Sequence, residues 1–165
     1  MALISRIVRK HDLALIADEV YREFVYDGEY KSFGTMPELA EHLIMIDSVS
    51  KRYSACGARI GCVMTKNKEL SAQLLKCCQA RLSVSQLDQA GATGLYTTPA
   101  SYWEEVRNEY NAPPRYPEGS LSAMPGVISS EPKGAFYVMV KLPVDNIEKF
   151  AQWLLTDLPS IMKRS

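Results

Sequence analysis

The first 110 residues alternate short apolar runs with longer segments in which apolar positions recur at a helical period. Three short runs, bounded by polar or glycine positions, are predicted as strands: Leu13–Ala17, Leu43–Asp47 and Arg59–Thr65. Such runs are typical of strands that a sheet buries on both faces. Helices are predicted at the amphipathic segments, which are 1–10, 67–82, 85–96 and one that begins near Ser101. This alternation of strands and helices predicts an α/β fold.

The predicted helices have an apolar face that we expect to lie inward. In 67–82 this face consists of Leu70, Leu74, Leu75 and Cys78, and in 85–96 it consists of Leu87, Ala90 and Leu95. Ser101 is predicted as the N-cap of the next helix, because Glu104 follows it at the position that completes a capping box.

The pattern changes after Tyr110. Residues 111–119 contain three prolines within five positions, and such a segment cannot continue a helix. Further along the chain, strands are predicted at Val127–Ser130 and Gly134–Leu142, and a helix is predicted at Ile147–Leu158. We therefore predict a first domain over 1–110, an irregular linker over 111–121 and a second domain over 122–165.

The predicted strand Leu43–Asp47 opens into a loop whose residues suit a phosphate group. Lys51 lies in this loop beside Ser48 and Ser50, and Arg59 follows eight positions later between two glycines. Arginine offers a bidentate charged clamp, and the hydroxyls donate hydrogen bonds. A lysine near other cations loses its proton more readily and can then form a Schiff base with a carbonyl. A phosphate and an aldehyde occur together in pyridoxal phosphate, so the loop predicts a site for that cofactor.

A second predicted strand ends in Asp18, and Tyr21 follows three residues later. The pyridine nitrogen of pyridoxal phosphate needs an acidic partner to remain protonated, so that the ring accepts electrons. A phenol near the ring oxygen supplies a further hydrogen bond. Asp18 and Tyr21 are therefore predicted to bind the cofactor ring.

Taken singly, these residues have simpler interpretations. Asp18 could cap a helix, Lys51 could be a solvated loop charge, and Arg59 could form a surface ion pair that contributes little to stability. Taken jointly, they follow two predicted strand ends and supply the groups that one cofactor would bind. We favour the cofactor interpretation for that reason.

The spacing of these residues resembles that of the class I and II aminotransferases, which have PLP fold type I. The Asp-x-x-Tyr and Ser-x-x-Lys-x7-Arg motifs of that family match Asp18, Tyr21, Ser48, Lys51 and Arg59 in order and spacing. The match of both motifs in one chain makes the resemblance specific.

Two longer segments, Ala17–Gly28 and Lys133–Tyr137, are most similar to aspartate aminotransferases of the prokaryotic type. The resemblance extends from about His11 to Asp157 and covers only the C-terminal part of such an enzyme. It implies that the first predicted domain is part of the large cofactor-binding domain, which contains an α/β/α sheet. The second predicted domain is then a truncated part of the small α+β domain.

The resemblance implies transamination that depends on pyridoxal phosphate, with aspartate and 2-oxoglutarate as the expected amino acid and 2-oxo acid. Lys51 would be the catalytic residue and would hold the cofactor as an aldimine. The cofactor-binding residues would be Asp18, Tyr21, Ser48, Ser50, Lys51 and Arg59. The resemblance also implies a homodimer at full length, and a fragment that is inactive or impaired because the N-terminal half of the site is absent.

Other functions share these motifs. A PLP-dependent lyase or synthase of the same fold, a non-catalytic PLP-binding regulatory module and an inactive remnant all remain open. The segments 111–119 and 159–165 depart from the family pattern, and either a shifted reading frame in the gene or natural divergence explains them. The nucleotide sequence would decide between these explanations.

The composition excludes several other classes of function. The 19 basic and 19 acidic residues give a net charge of zero, so neither nucleic acid nor an acidic surface is expected as a partner. The chain contains neither a long apolar stretch nor a signal segment, so we expect a cytoplasmic protein without membrane contact. The four cysteines lack the spacing of a metal site, and we expect buried or half-buried free thiols.

Overall fold

The computed structural model describes residues 1–111, 121 and 123–158. The first elements are α1 (Ala2–Lys10), β1 (Leu15–Asp18), β2 (Leu43–Ser48), α2 (Val49–Arg52) and β3 (Gly61–Met64). They are followed by α3 (Lys68–Arg81), α4 (Gln86–Thr93), α5 (Ala100–Asn111), β4 (Ile128–Ser129), β5 (Val140–Lys141) and α6 (Ile147–Thr156). Short 3-10 helices cover Phe33–Thr35, Pro37–Leu39, Cys56–Ala58 and Gly94–Thr97.

Strands β1, β2 and β3 form one sheet in that order. β1 and β2 are parallel, and their register pairs Leu15 with Leu43 and Asp18 with Ile46. β3 is antiparallel to β2. Because β1 and β2 are parallel, their carboxyl ends lie at the same edge of the sheet.

The chain divides into two compact units, and the first comprises Met1–Asn111 together with Lys133–Ala135. In this unit Gly134 forms an antiparallel bridge with Val25, and the Ala135 amide donates a hydrogen bond to the Phe24 carbonyl at 2.8 Å. The sequence did not predict this pairing. The domain boundaries at 110 and 122 stay a prediction.

The second unit comprises the rest of the described residues. Strand β4 pairs with β5 in an antiparallel ladder. Helix α6 begins after Asn146, whose side chain accepts a hydrogen bond from the Lys149 amide at 2.9 Å. An asparagine in this position satisfies one of the amides that lack a partner at a helix start.

The core of the first unit lies between α1, the sheet and the 3-10 helix Pro37–Leu39. Its buried apolar side chains are Val8, Ala17, Leu39 and Leu43. Leu39 is completely buried, and four partly exposed side chains pack around the group: Leu15, Phe33, Met36 and Met45. Removal of these groups from water holds α1 and the 3-10 helix against the sheet.

The predicted inward faces of α3 and α4 are largely wrong. Neither helix contains a buried residue, and Leu75 and Leu87 are 59% and 85% exposed. Cys78 and Ala90 are exposed too, whereas three of the predicted positions are half-buried: Leu70, Leu74 and Leu95. A periodic pattern identifies which face of a helix is apolar, but burial also requires a surface that packs against that face.

β3 and the cysteines are also more exposed than predicted, because no surface of the described residues covers them. All four residues of β3 are exposed, although the apolar run predicted a buried strand. The free thiols were predicted to be buried or half-buried, and this is wrong because every one of them is exposed: Cys56, Cys62, Cys77 and Cys78.

Two element boundaries also differ from the prediction. The predicted strand Gly134–Leu142 is reduced to Val140–Lys141, since Ala135 has φ +56°, a left-handed conformation that interrupts an extended strand. Ser101 does not cap α5, because that helix begins at Ala100 and Ser101 lies in its first turn.

The irregular linker was predicted over 111–121, and its interior lies outside the described residues, as does the segment 159–165. Asn111 itself is the last residue of α5. Among the helices of the described ranges, none is long and apolar enough to cross a membrane.

Candidate functional site

The candidate site lies at the edge of the sheet where β1 and β2 end. Asp18 is the last residue of β1, and Ser48 is the last residue of β2. Helix α2 continues directly from β2 and carries Ser50 and Lys51. The parallel pairing of the two strands therefore places Asp18 and Lys51 at the same edge of the sheet, where open α/β sheets bind ligands.

Tyr21 and Lys51 are neighbours at this edge. The Lys51 Nζ lies 5.7 Å from the centre of the Tyr21 ring, within the range of a cation–π contact. Both side chains are half-buried. Asp18 is exposed, and its Oδ1 accepts a hydrogen bond from the Val20 amide at 3.3 Å, which begins the loop that carries Tyr21.

Ser48 shapes the start of α2. Its backbone is extended, and its hydroxyl oxygen accepts a hydrogen bond from the Ser50 amide at 3.3 Å. The Ser48 amide donates to Asp47 Oδ1 at 2.8 Å. These two bonds turn the chain from strand to helix, and this turn places Lys51 one helical turn beyond the sheet edge.

Arg59 lies in a tight connection between α2 and β3. Its backbone has φ +54°, which is uncommon for a residue with a side chain, and such conformations cluster at functional sites. The side chain is exposed, and Nη1 donates to the Cys56 carbonyl at 3.1 Å. The other N–H groups of the guanidinium fork leave donors for a bound anion.

The structure brings the phosphate-binding candidates together in one cavity. Ser48, Ser50 and Arg59 all contribute to its lining, together with residues of β3 and α3. Of the described residues, Asp18, Tyr21 and Lys51 do not line this cavity. The predicted residues therefore fall into two neighbouring groups, one around the cavity and one around the Tyr21 ring.

The two glycines on either side of Arg59 differ in their role. A side chain at Gly61 would place its Cβ 3.3 Å from the Asp47 carbonyl oxygen, so this position favours glycine. At Gly57 a Cβ would meet no atom within 4 Å, so packing does not require glycine at that position.

Four charged residues that sequence reasoning missed form a cluster beside the site, and we call Arg22, Glu23, Asp47 and Arg52 the charge cluster. Arg22 Nη2 lies 2.6 Å from Asp47 Oδ2, and Arg52 Nη2 lies 2.8 Å from Glu23 Oε1. Two longer contacts link the pairs to each other. Arg52 Nη1 lies 3.9 Å from Asp47 Oδ2, and Arg22 Nε lies 3.7 Å from Glu23 Oε1. In the sequence, opposite charges lie next to both motifs, and this pattern could have identified the charge cluster.

Helix α5 supports the far side of α2. The Trp103 indole Nε1 donates to the Arg52 carbonyl at 3.1 Å, and the Arg52 guanidinium lies 5.8 Å from the Trp103 ring centre. The Tyr102 hydroxyl donates to Ser54 Oγ at 3.0 Å. The Tyr53 ring meets Trp103 edge to face, with ring centres 5.7 Å apart.

The environment of Asp47 also affects a thiol. Cys62 pairs with Asp47 across β2 and β3. Desolvation raises the pKa of the Cys62 thiol above its ordinary value, and the nearby Asp47 carboxylate raises it further. Arg22 has a smaller opposite effect.

The family of class I and II aminotransferases matches residues 2–162. An aspartate aminotransferase of Pyrococcus horikoshii is 28% identical over 156 residues, which cover 92% of this chain and 40% of the relative. An arginine–pyruvate transaminase of Pseudomonas aeruginosa is 30% identical over 141 residues, which cover 84% of this chain and 35% of the relative.

A solved structure of an alanine aminotransferase from Pyrococcus furiosus has the same fold over 92% of this chain and 40% of its own, with a TM-score of 0.77 and 27% identity. This chain therefore spans about 40% or less of the length of these relatives. The predicted fold, part of that of the PLP fold type I aminotransferases, is confirmed. The chain is a member of the class I and II aminotransferase family.

Proposed function

We propose that this chain forms part of a pyridoxal-phosphate-dependent aminotransferase in which Lys51 carries the cofactor. The observation that carries this proposal is the position of the Lys51 amine beside the Tyr21 ring, at the sheet edge where Asp18 ends β1. An acid, a phenol and an amine at one edge of the sheet are the groups that a pyridine ring with an aldehyde would bind.

The donor set around the cavity suits the phosphate of the same cofactor. Ser48 and Ser50 offer hydroxyl donors, and Arg59 offers a charged fork that can bind two phosphate oxygens. Asp18 would keep the ring nitrogen protonated, and Tyr21 would donate to the ring oxygen. When bound, pyridoxal phosphate supplies an electron sink for the bond that breaks at the α-carbon of an amino acid.

Lys51 has two tasks in this proposal. Its Nζ would hold the cofactor covalently, and the same amine would act as the base and acid that moves the α-proton of the substrate. The neighbouring Arg52 cannot replace it, because a guanidinium stays protonated. We propose aspartate and 2-oxoglutarate as the substrates, and a homodimer as the assembly of the full-length enzyme.

The experiment is reductive trapping. The purified chain is mixed with pyridoxal phosphate and borohydride, and the adduct is located by peptide mass spectrometry. We expect the adduct on Lys51 and its loss in Lys51→Ala. Lys66→Ala, which removes an exposed lysine of the same unit, is the control and should retain the adduct.

Equal trapping in the wild type and in Lys51→Ala would overturn the assignment of Lys51, since the cofactor would then react elsewhere or without specificity. Absence of trapping in the wild type would overturn the proposed cofactor function of this chain. If Lys51 is trapped, the rate of transamination is measured with aspartate and 2-oxoglutarate. The same assay with alanine or arginine as the amino-group donor tests the alternative substrates.

A further inference from the structure

We propose that the charge cluster is a positioning device that locks α2 to the loop after β1 and so holds Lys51 beside Tyr21. Its role in catalysis rests on the proposed function above, but its mechanical role does not. Arg22 and Glu23 directly follow Tyr21, whereas Arg52 directly follows Lys51. The ion pairs therefore join the two chain segments that carry the reacting group and its aromatic neighbour.

The geometry of the cluster allows little freedom. The Asp47 side chain is only 10% exposed, and the side chain of its main partner Arg22 is 21% exposed. A buried carboxylate that loses its partner is strongly destabilised, so Asp47 holds Arg22 in place. Asp47 lies in β2, the central strand, and the cluster is thus attached to the middle of the sheet.

Arg52 transmits this constraint to α2. Successive residues of a helix point about 100° apart, so Arg52 can engage the cluster while Lys51 faces the Tyr21 ring. The short salt bridge from Arg52 to Glu23 ties α2 to the β1 loop. Trp103 holds the Arg52 carbonyl from α5, and the end of α2 is thereby fixed from two directions.

A helix of four residues needs such support. Isolated short helices are unstable in water, because the first turn fixes several residues for one hydrogen bond. The backbone bonds that close α2 are those of the Tyr53 amide to the Val49 carbonyl at 3.1 Å and the Ser54 amide to the Lys51 carbonyl at 3.4 Å. Their opening therefore reports directly on the lock.

The first experiment measures amide hydrogen exchange in the chain without cofactor. Arg52→Gln and Glu23→Gln each remove the short salt bridge from α2 to the loop. We expect exchange at residues 49–54 to become about tenfold faster in both variants, as the loss of a charged hydrogen bond predicts. Exchange in β1, β2 and α1 should stay unchanged. Arg9→Gln, at an exposed arginine of α1, is the matched control and should change neither region.

Unchanged exchange at 49–54 in both variants would overturn the proposal. A uniform increase across the whole unit would also overturn it, because the cluster would then support general stability rather than the position of α2. Glu23→Gln keeps the proposal testable if Arg52→Gln does not fold.

The second experiment reverses the pair in Glu23→Arg with Arg52→Glu. We expect each single reversal to decrease the rate of Lys51 trapping by pyridoxal phosphate, and the double reversal to restore most of it. If the double reversal does not restore the rate of Lys51 trapping, the positioning role is contradicted. Failure of the wild type to trap the cofactor would count against the proposed function alone, and hydrogen exchange would still decide whether the cluster locks α2.

Discussion

The Lys51 ammonium lies 5.7 Å from the centre of the Tyr21 ring. This contact joins residues 30 positions apart in the chain, one after β1 and the other after β2. It exists because the two strands are parallel and end at the same edge of the sheet. The aromatic face stabilises a nearby cation.

Two substitutions separate the ring of Tyr21 from its hydroxyl. Tyr21→Phe keeps the aromatic face beside Lys51 and removes the phenol donor. A single lost hydrogen bond predicts up to about tenfold weaker binding of pyridoxal phosphate. Tyr21→Leu should weaken binding more, since it removes both features. Absorbance titration with the cofactor measures this, and equal binding by all three proteins would contradict a role for Tyr21.

Substitutions of Arg59 and Lys51 should have different effects on the reaction with pyridoxal phosphate. Arg59→Ala removes a charged phosphate donor, and we expect about 10- to 100-fold weaker capture of pyridoxal phosphate while trapping on Lys51 persists at high cofactor concentration. Arg59→Lys keeps the charge without the fork and should have an intermediate effect.

The measurement is the cofactor concentration that gives half-maximal borohydride trapping. Arg9→Gln, which changes an exposed arginine on α1, should leave this concentration as it is in the wild type. Complete loss of trapping in Arg59→Ala at every cofactor concentration would contradict the separate roles.

Gly134 should be intolerant of a side chain. A Cβ at this position would lie 2.7 Å from the Phe24 carbonyl oxygen, which is backbone and cannot easily move aside. We expect Gly134→Ala to lower the free energy of unfolding by about 1–3 kcal/mol, as overpacking generally does.

The control is Gly91→Ala in α4, where a Cβ meets nothing within 4 Å and alanine favours a helix. Urea denaturation measures both variants. A neutral Gly134→Ala would show that 133–135 do not pack on Val25 in solution.

Cys62 should react slowly with thiol reagents at neutral pH. Its pKa is raised by desolvation and by Asp47, so the thiolate forms at higher pH in the folded chain than in the unfolded one. We expect the pH profile of Cys62 alkylation to shift upward relative to the urea-denatured chain. A folded-state midpoint at or below the denatured one would contradict this.

The same shift makes the protein less stable in alkali. Above the ordinary thiol pKa the unfolded chain binds fewer protons at Cys62 than the folded chain, so the free energy of unfolding decreases as the pH rises. Asp47→Asn should lower the pKa of Cys62, since it removes the carboxylate.

The sequence alone determined the positions of β1 and β2 and the chemistry that follows the ends of these two strands. Apolar runs identified β1 and β2 to within about two residues, because a strand that enters a core must be apolar along its length. The spacing from Asp18 to Tyr21 and from Ser48 to Arg59 identified the family, because local spacing is written directly in the chain.

The tertiary structure alone decided which side chains meet. The salt bridge from Arg22 to Asp47 joins residues 25 positions apart, and no local pattern specifies it. The same is true of the exposure of Leu87 and of the four cysteines, because burial depends on a partner surface rather than on periodicity. Pairing of Gly134 with Val25 likewise depends on close approach of distant backbone segments, which the local sequence does not encode.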